Sequence, residues 1–147
     1  MAVIRVTKEF RFEGAHALTG YDGKCRHIHG HSYRLFVTLK GEIREEQEHP
    51  KSGMVLDFSQ LKSLVNELIT EPFDHALILR RDAVLANEIA HTYCNVMITD
   101  FQPTCENLAQ HFAMLIKTHL PDHLTLQSIK LYETPSSFVE WVAEDNL

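Results

Sequence analysis

Two histidines one residue apart, His29 and His31, stand at the head of a run in which Tyr33, Leu35, Val37 and Leu39 alternate with Arg34, Thr38 and Lys40. Such alternation marks a half-buried strand, with Phe36 the exception on the polar side. In an extended chain, side chains two apart share a face, so both imidazoles can reach one ion. Cys25 and His27 come just before, crowding a thiol and three imidazoles into seven residues. Zinc accepts neutral imidazole nitrogen. Three histidines with a fourth position open make a catalytic arrangement, whereas a cysteine in that position closes a structural one. Two alternatives stay open on spacing alone. His27 shares the parity of the pair, and Cys25 can be a fourth ligand. With ten histidines in 147 residues, chance clustering is the competing account.

The missing ligand must come from a neighbouring strand, and His16 is the candidate. Val3 to Glu13 reads as a strand with Ile4, Val6, Phe10 and Phe12 on one parity and Arg5, Thr7, Glu9 and Arg11 on the other. It ends just before Gly14-Ala15-His16, and hairpin-like pairing brings that end beside the start of the Ser32 strand. Gly20, Asp22 and Gly23 punctuate the loop between the two.

A chain of this length makes one domain, 1–147, able to bury a core without disulfides. Cysteines 25, 94 and 105 are odd in number and show no framework spacing, which predicts reduced thiols and a cytoplasmic setting. A formal net charge of −6 argues against broad nucleic-acid binding, which needs a basic face. Neither a signal peptide nor a membrane span is expected.

Further along, Asp57 caps a helix carrying Leu61, Leu64, Val65 and Leu68, with Gln60 completing a capping box and Pro72 expected to stop it after Ile69. Asp74-His75 follows at the head of a short apolar run. Asp82 to Tyr93 reads as partly helical and Val96-Met97-Ile98 as a short strand. Thr104 caps a helix to about Lys117, with Cys105 and Glu106 in its first turn, where Glu106 suits the helix dipole. Leu124 to Tyr132 and Ser137 to Ala143 read as two more strands around a turn at Thr134-Pro135-Ser136, and Glu133 falls at the junction. The layout is α+β: antiparallel ββααββ with the helices on one face. On spacing alone, Asp74, His75 and Glu133 are ordinary solvated groups.

Taken together, Phe12-Glu13-Gly14-Ala15-His16, Cys25-x-x-x-His29-Gly30-His31, Met54-Val55-Leu56-Asp57-Phe58, Phe73-Asp74-His75, Pro103-Thr104-Cys105-Glu106-Asn107-Leu108 and Leu131-Tyr132-Glu133-Thr134 resemble, in order, the 6-pyruvoyl- and 6-carboxytetrahydropterin synthase family. The short gap between Cys25 and His29 is similar to the bacterial carboxy branch, which feeds the route to 7-deazaguanine compounds and queuosine. The resemblance implies a tunnelling fold (T-fold) whose strands assemble into an oligomeric barrel. It also implies a homohexamer of two trimers, with active sites between subunits.

The same resemblance implies Zn2+ held by His16, His29 and His31, with Cys25 as proton acceptor and His75, Asp74 and Glu133 as a proton relay. Glu133 is further expected to anchor the pterin ring, and Thr104, Cys105 and Glu106 to line its pocket. The implied activity is a lyase reaction on 7,8-dihydroneopterin triphosphate. The carboxy branch gives 6-carboxytetrahydropterin, acetaldehyde and triphosphate, and the pyruvoyl branch eliminates triphosphate and keeps the carbons. Lys24, Arg26, Arg80 and Arg81 are the cations available to a triphosphate. The chain departs from the family pattern in three places: at Leu79-Arg80, where an asparagine is common; over a long Arg80 to Asp100 segment; and at Cys105, where a small residue is common.

Overall fold

The computed structural model describes residues 2–84, 86–92 and 95–147. Its spine is a long antiparallel pair, β1 (Val3–His16) and β2 (His29–Glu42), in register from Val3 opposite Glu42 to His16 opposite His29. The alternation seen in the sequence fixes this register, because a slip of one residue would turn every apolar side chain to the wrong face. After α1 (Phe58–Val65) and the short α2 (Glu71–Phe73) comes β3 (Ala76–Arg80), which runs parallel to the end of β1. Then follow α3 (Ala86–Thr92), β4 (Val96–Thr99), α4 (Cys105–His119), β5 (Thr125–Thr134) and β6 (Ser137–Val142). The six strands lie in the order β4-β3-β1-β2-β5-β6.

The α+β layout is as expected, with the short strands β3 and β4 added in parallel at one edge. Of the expected partial helix, Ala86–Thr92 is helical, while Tyr93 and Cys94 lie outside the described residues. One expectation fails: Pro72 does not end the helix after Ile69. The chain winds on through a π-helical turn, Asn66–Thr70, into α2. Proline is tolerated in a helix's first turn, where its missing N–H has no partner to lose, and the wider turn resets the register so that Pro72 falls there.

The helices cover one face of the sheet. Phe10 and Phe12 of β1, Tyr33 to Leu39 at odd positions of β2, and Ile129 and Leu131 of β5 pack against Leu61, Val65 and Ile69, and against Leu108, Phe112 and Ile116 of α4. Burying one such side chain contributes about 2 kcal/mol. Phe36, out of pattern in the sequence, lies on the opposite face. There the Arg34 guanidinium stacks over both Phe36 and Tyr132, at 5.2 and 5.0 Å from the ring centroids. Asp57 caps α1 as expected, with its carboxylate accepting from the Ser59 N–H at 2.9 Å and the Gln60 side chain closing the box.

Candidate metal centre and active site

His29, His31 and Tyr33 share the parity of Leu35, so the imidazoles lie at the open end of the helix-covered face. His16 stands opposite His29 in the ladder. The three rings converge: His16 Nε2 is 3.0 Å from His29 Nε2 and 3.2 Å from His31 Nε2. Among the described residues, they are the one group of histidine, cysteine or carboxylate side chains gathered closely enough to hold a metal ion.

Backbone carbonyls hold two of the rings. His16 Nδ1 donates to the Pro103 carbonyl at 2.6 Å, and His29 Nδ1 donates to the His27 carbonyl at 2.8 Å. With the Nδ1 proton committed, Nε2 of a neutral ring carries a bare lone pair aimed at the cluster centre, the usual outer support of a ligating histidine. Burial pushes the His16 and His31 pKa values down, which disfavours resolving the clash by protonation. Lone pairs facing each other at these distances suit a cation between them. Ligand nitrogens on a tetrahedral zinc lie about 3.3 Å apart, given bonds of about 2.05 Å. The residues therefore fit the metal that their types imply.

Glu133 joins them from β5. Its Oε1 lies 3.5 Å from His16 Nε2 and 3.4 Å from His31 Nε2. The β5–β6 register shifts between Tyr132 and Thr134, which leaves Glu133 as the bulged residue. A bulge of this kind re-aims a side chain beside a site. Tyr33 underlies the cluster, its ring centroid 5.5 Å from that of His31. Gly14 makes room for it, since a Cβ there would sit 3.1 Å from the Tyr33 ring.

Asp74 and His75 sit across a cleft of about 400 Å³ lined by Glu13, Gly14, Gly30, His31, Ser32 and His75. The Glu13 backbone fixes the pair: its N–H donates to Asp74 Oδ1 at 2.9 Å, and its carbonyl accepts from the His75 N–H at 2.5 Å. The Glu13 N–H, followed by His75, holds the Asp74 carboxyl below its ordinary pKa. His75 Nδ1 is 3.0 Å from Asp74 Oδ2, and the ring is 78% exposed. His75 adopts a left-handed φ of 58°, a strained conformation for a residue with a Cβ and one that clusters at functional sites. Asn95 Nδ2 donates to the Asp74 carbonyl at 2.9 Å, so an asparagine distant in sequence supports this element.

The remaining candidates are placed less centrally. Cys25 is exposed on a 3₁₀ turn, Lys24–Arg26, and its sulfur is not among the converging ligand atoms. His27 contributes its carbonyl, not its ring. Thr104 caps α4, accepting from the Asn107 N–H at 3.2 Å. The Cys105 thiol is buried against the Leu131 carbonyl, and burial pushes its pKa up to about 12, so only the backbone of this residue can serve a ligand. Glu106 is exposed and lines a groove beside Val139 and Trp141, away from the imidazoles. Arg80 and Arg81 are paired with Asp82 and Asp100. Lys24 and Arg26 have no carboxylate partner among the described residues.

The spacing of the sequence concealed three contributors: the Glu13 backbone, the Pro103 carbonyl, and Gln102. The Gln102 amide clamps Thr19 by accepting from its N–H at 3.1 Å and donating to its carbonyl at 2.8 Å. Among the described residues no helix is long and apolar enough to cross a membrane.

Fold and site together define an α+β protein with three imidazoles gathered closely enough to hold a metal at one end of its sheet. The chain belongs to the 6-pyruvoyl tetrahydropterin synthase family, whose profile matches residues 5–144. It is 36% identical over 143 residues to the 6-carboxy-5,6,7,8-tetrahydropterin synthase of Haemophilus influenzae, covering 95% of this chain and 99% of that one. It is 35% identical over 142 residues to the protein of the same name from Rickettsia bellii, covering 94% and 99%. Among solved structures, it is similar to an uncharacterized protein of Wolinella succinogenes, with a TM-score of 0.80 at 22% identity over 97% of this chain and 99% of that one. The Caenorhabditis elegans 6-pyruvoyl tetrahydropterin synthase gives a TM-score of 0.69 at 26% identity, over 97% and 96%. The fold is thus the T-fold of that family.

Proposed function

We propose that this protein is a zinc-dependent 6-carboxy-5,6,7,8-tetrahydropterin synthase, converting 7,8-dihydroneopterin triphosphate and water to 6-carboxytetrahydropterin, acetaldehyde and triphosphate. The observation that carries this reading is the end-to-end similarity to bacterial proteins of that name, joined to three imidazoles whose lone pairs converge beside the His75 cleft.

His16, His29 and His31 would hold the ion, which when bound supplies Lewis acidity toward the hydroxyls of the substrate side chain. Cys25 takes the proton from the side-chain carbon as general base. His75, with its Nδ1 3.0 Å from the Asp74 carboxylate, returns a proton to the ring. Glu133 accepts paired hydrogen bonds from the guanidine-like edge of the pterin, with backbone groups at Thr104 and Cys105 beside it. Lys24 and Arg26 suit the triphosphate. A homohexamer of two trimers, with active sites between subunits, goes with this reading. A cytoplasmic setting and a place on the route to 7-deazaguanine compounds go with this reading.

The test is to incubate zinc-loaded protein with 7,8-dihydroneopterin triphosphate and identify products by mass spectrometry. The carboxy product with acetaldehyde is expected. The 6-pyruvoyl product alone would move the protein to the other branch of its family.

A further inference from the structure

We infer that Gln102 is a positioning residue for the proposed reaction: its side-chain amide holds the Cys25 turn in a fixed place relative to the imidazole cluster. The catalytic part of this inference rests on the synthase reading, with Cys25 as base. The clamp itself does not.

The loop that carries Cys25 has few ties to the fold. Ladder pairing of β1 and β2 ends at His16 opposite His29. Beyond it, the Leu18 N–H donates to the Cys25 carbonyl at 3.0 Å, and the Arg26 and His27 N–H groups donate to the Gly23 and Lys24 carbonyls at 3.3 and 3.1 Å. These bonds shape the loop without anchoring it. Among the described residues, hydrogen bonds from 18–27 to the rest of the protein are the His27 carbonyl to the His29 ring and the pair from Thr19 to Gln102.

Gln102 meets Thr19 as a strand neighbour would. Its Oε1 accepts from the Thr19 N–H at 3.1 Å and its Nε2 donates to the Thr19 carbonyl at 2.8 Å. One primary amide thus satisfies both backbone groups of one residue, the exchange that a hydrogen-bonded pair makes in an antiparallel ladder. Thr19 adjoins Leu18, whose N–H holds the Cys25 carbonyl, so the clamp reaches the thiol-bearing turn through one further hydrogen bond.

The other end of the clamp is fixed. The Gln102 carbonyl accepts from the Thr104 N–H at 2.8 Å and from Asn107 Nδ2 at 3.0 Å, which seats it on the first turn of α4. The next residue, Pro103, gives its carbonyl to His16 Nδ1 at 2.6 Å. Adjacent residues therefore hold the most buried imidazole and the loop that carries Lys24, Cys25 and Arg26. A proton acceptor has to keep its place, because a misplacement of about 1 Å costs about a hundredfold in rate.

The test puts a nitroxide on Cys25 in a Cys94→Ser background, where the exposed Cys25 takes the label and the buried Cys105 does not. Gln102→Met keeps the length of the side chain and removes both hydrogen bonds. Its nitroxide lines should sharpen, reporting a freer turn, while circular dichroism and metal content stay as in wild type. In the unlabelled variant kcat should fall about tenfold to a hundredfold. In wild type itself the Thr19 amide should exchange with solvent at least about tenfold more slowly than in an open chain, a reading that stands even if the variant does not fold. A nitroxide spectrum that Gln102→Met leaves unchanged, or a Thr19 amide exchanging at the open-chain rate, would overturn the clamp. A freed turn with undiminished kcat would overturn the positioning role. A freed turn in a protein whose wild type forms no 6-carboxytetrahydropterin would keep the clamp and discard the assigned activity, and wild-type turnover with an unaltered turn would do the reverse.

Discussion

His16 and His29 face each other across the β1–β2 ladder with Nε2 atoms 3.0 Å apart and both Nδ1 atoms turned to backbone carbonyls. The pair is set by strand register, so folding alone brings the two nitrogens together. His16 is the most deeply held of the three, being 1% exposed. Alanine at position 16, 29 or 31 should each lower metal content, measured by elemental analysis, from about one ion per chain to under about a tenth. His16→Ala should also destabilise the fold, because it strands the buried Pro103 carbonyl. Full metal occupancy in His16→Ala would show that the ion sits elsewhere.

Cys25 lies outside the converging atoms, on an exposed turn. Cys25→Ala is therefore expected to keep its metal and its melting temperature while losing about 10²- to 10⁴-fold in turnover, the range for removing a general base. Metal analysis and product formation on the same preparation check this. Loss of stoichiometric metal would return the thiol to the ligand set and favour a closed structural site.

Much of this was legible in the sequence because strand period does most of the work. Odd-position apolar residues on β2 give the face, and the same parity carries His29 and His31 to its end. His16 followed because hairpin-like pairing is the simplest way to meet them. What sequence could not show arises from contacts with no local period. The Glu13 backbone clamps Asp74 and His75 from 61 residues away, and the bulge that aims Glu133 depends on the β5–β6 register. Pro72 was misread because a proline rule for straight α-helices does not anticipate a π-turn that resets the register. Cys105 follows the inward periodicity of α4, beside Leu108 and Ala109, and its thiol turns out to be core.

Thr104 caps α4 at the point where the chain leaves Pro103, the residue whose carbonyl positions His16. Loss of its hydroxyl frees the Asn107 N–H and loosens that junction. Thr104→Ala should cost about 1 kcal/mol in urea unfolding, and Thr104→Ser much less. Metal affinity should fall with it in Thr104→Ala, since the Pro103 carbonyl shifts. Unchanged stability in the alanine variant would mean that the cap hydrogen bond at 3.2 Å contributes nothing.

His111 offers a pH dependence free of the metal site. It is half-buried on α4 beside Phe101 and Phe73, with ring centroids 5.0 and 6.2 Å away, and desolvation pushes its pKa below the ordinary 6.5. A depressed histidine pKa means that the unfolded chain binds the proton more readily than the folded one, so stability rises with pH. The contribution is fully present above about pH 6.5 and is lost as pH falls from there through the lower folded value. In metal-saturated protein, wild type should therefore lose more stability than His111→Gln between pH 7.5 and 5.5, by up to about 1 kcal/mol given its partial exposure. Urea midpoints of both proteins across that range measure it, because the ligand histidines contribute equally to each and cancel in the difference. A difference that stayed flat with pH, or grew in the opposite direction, would show that His111 keeps its proton in the fold and that the aromatic pocket does not exclude its charge.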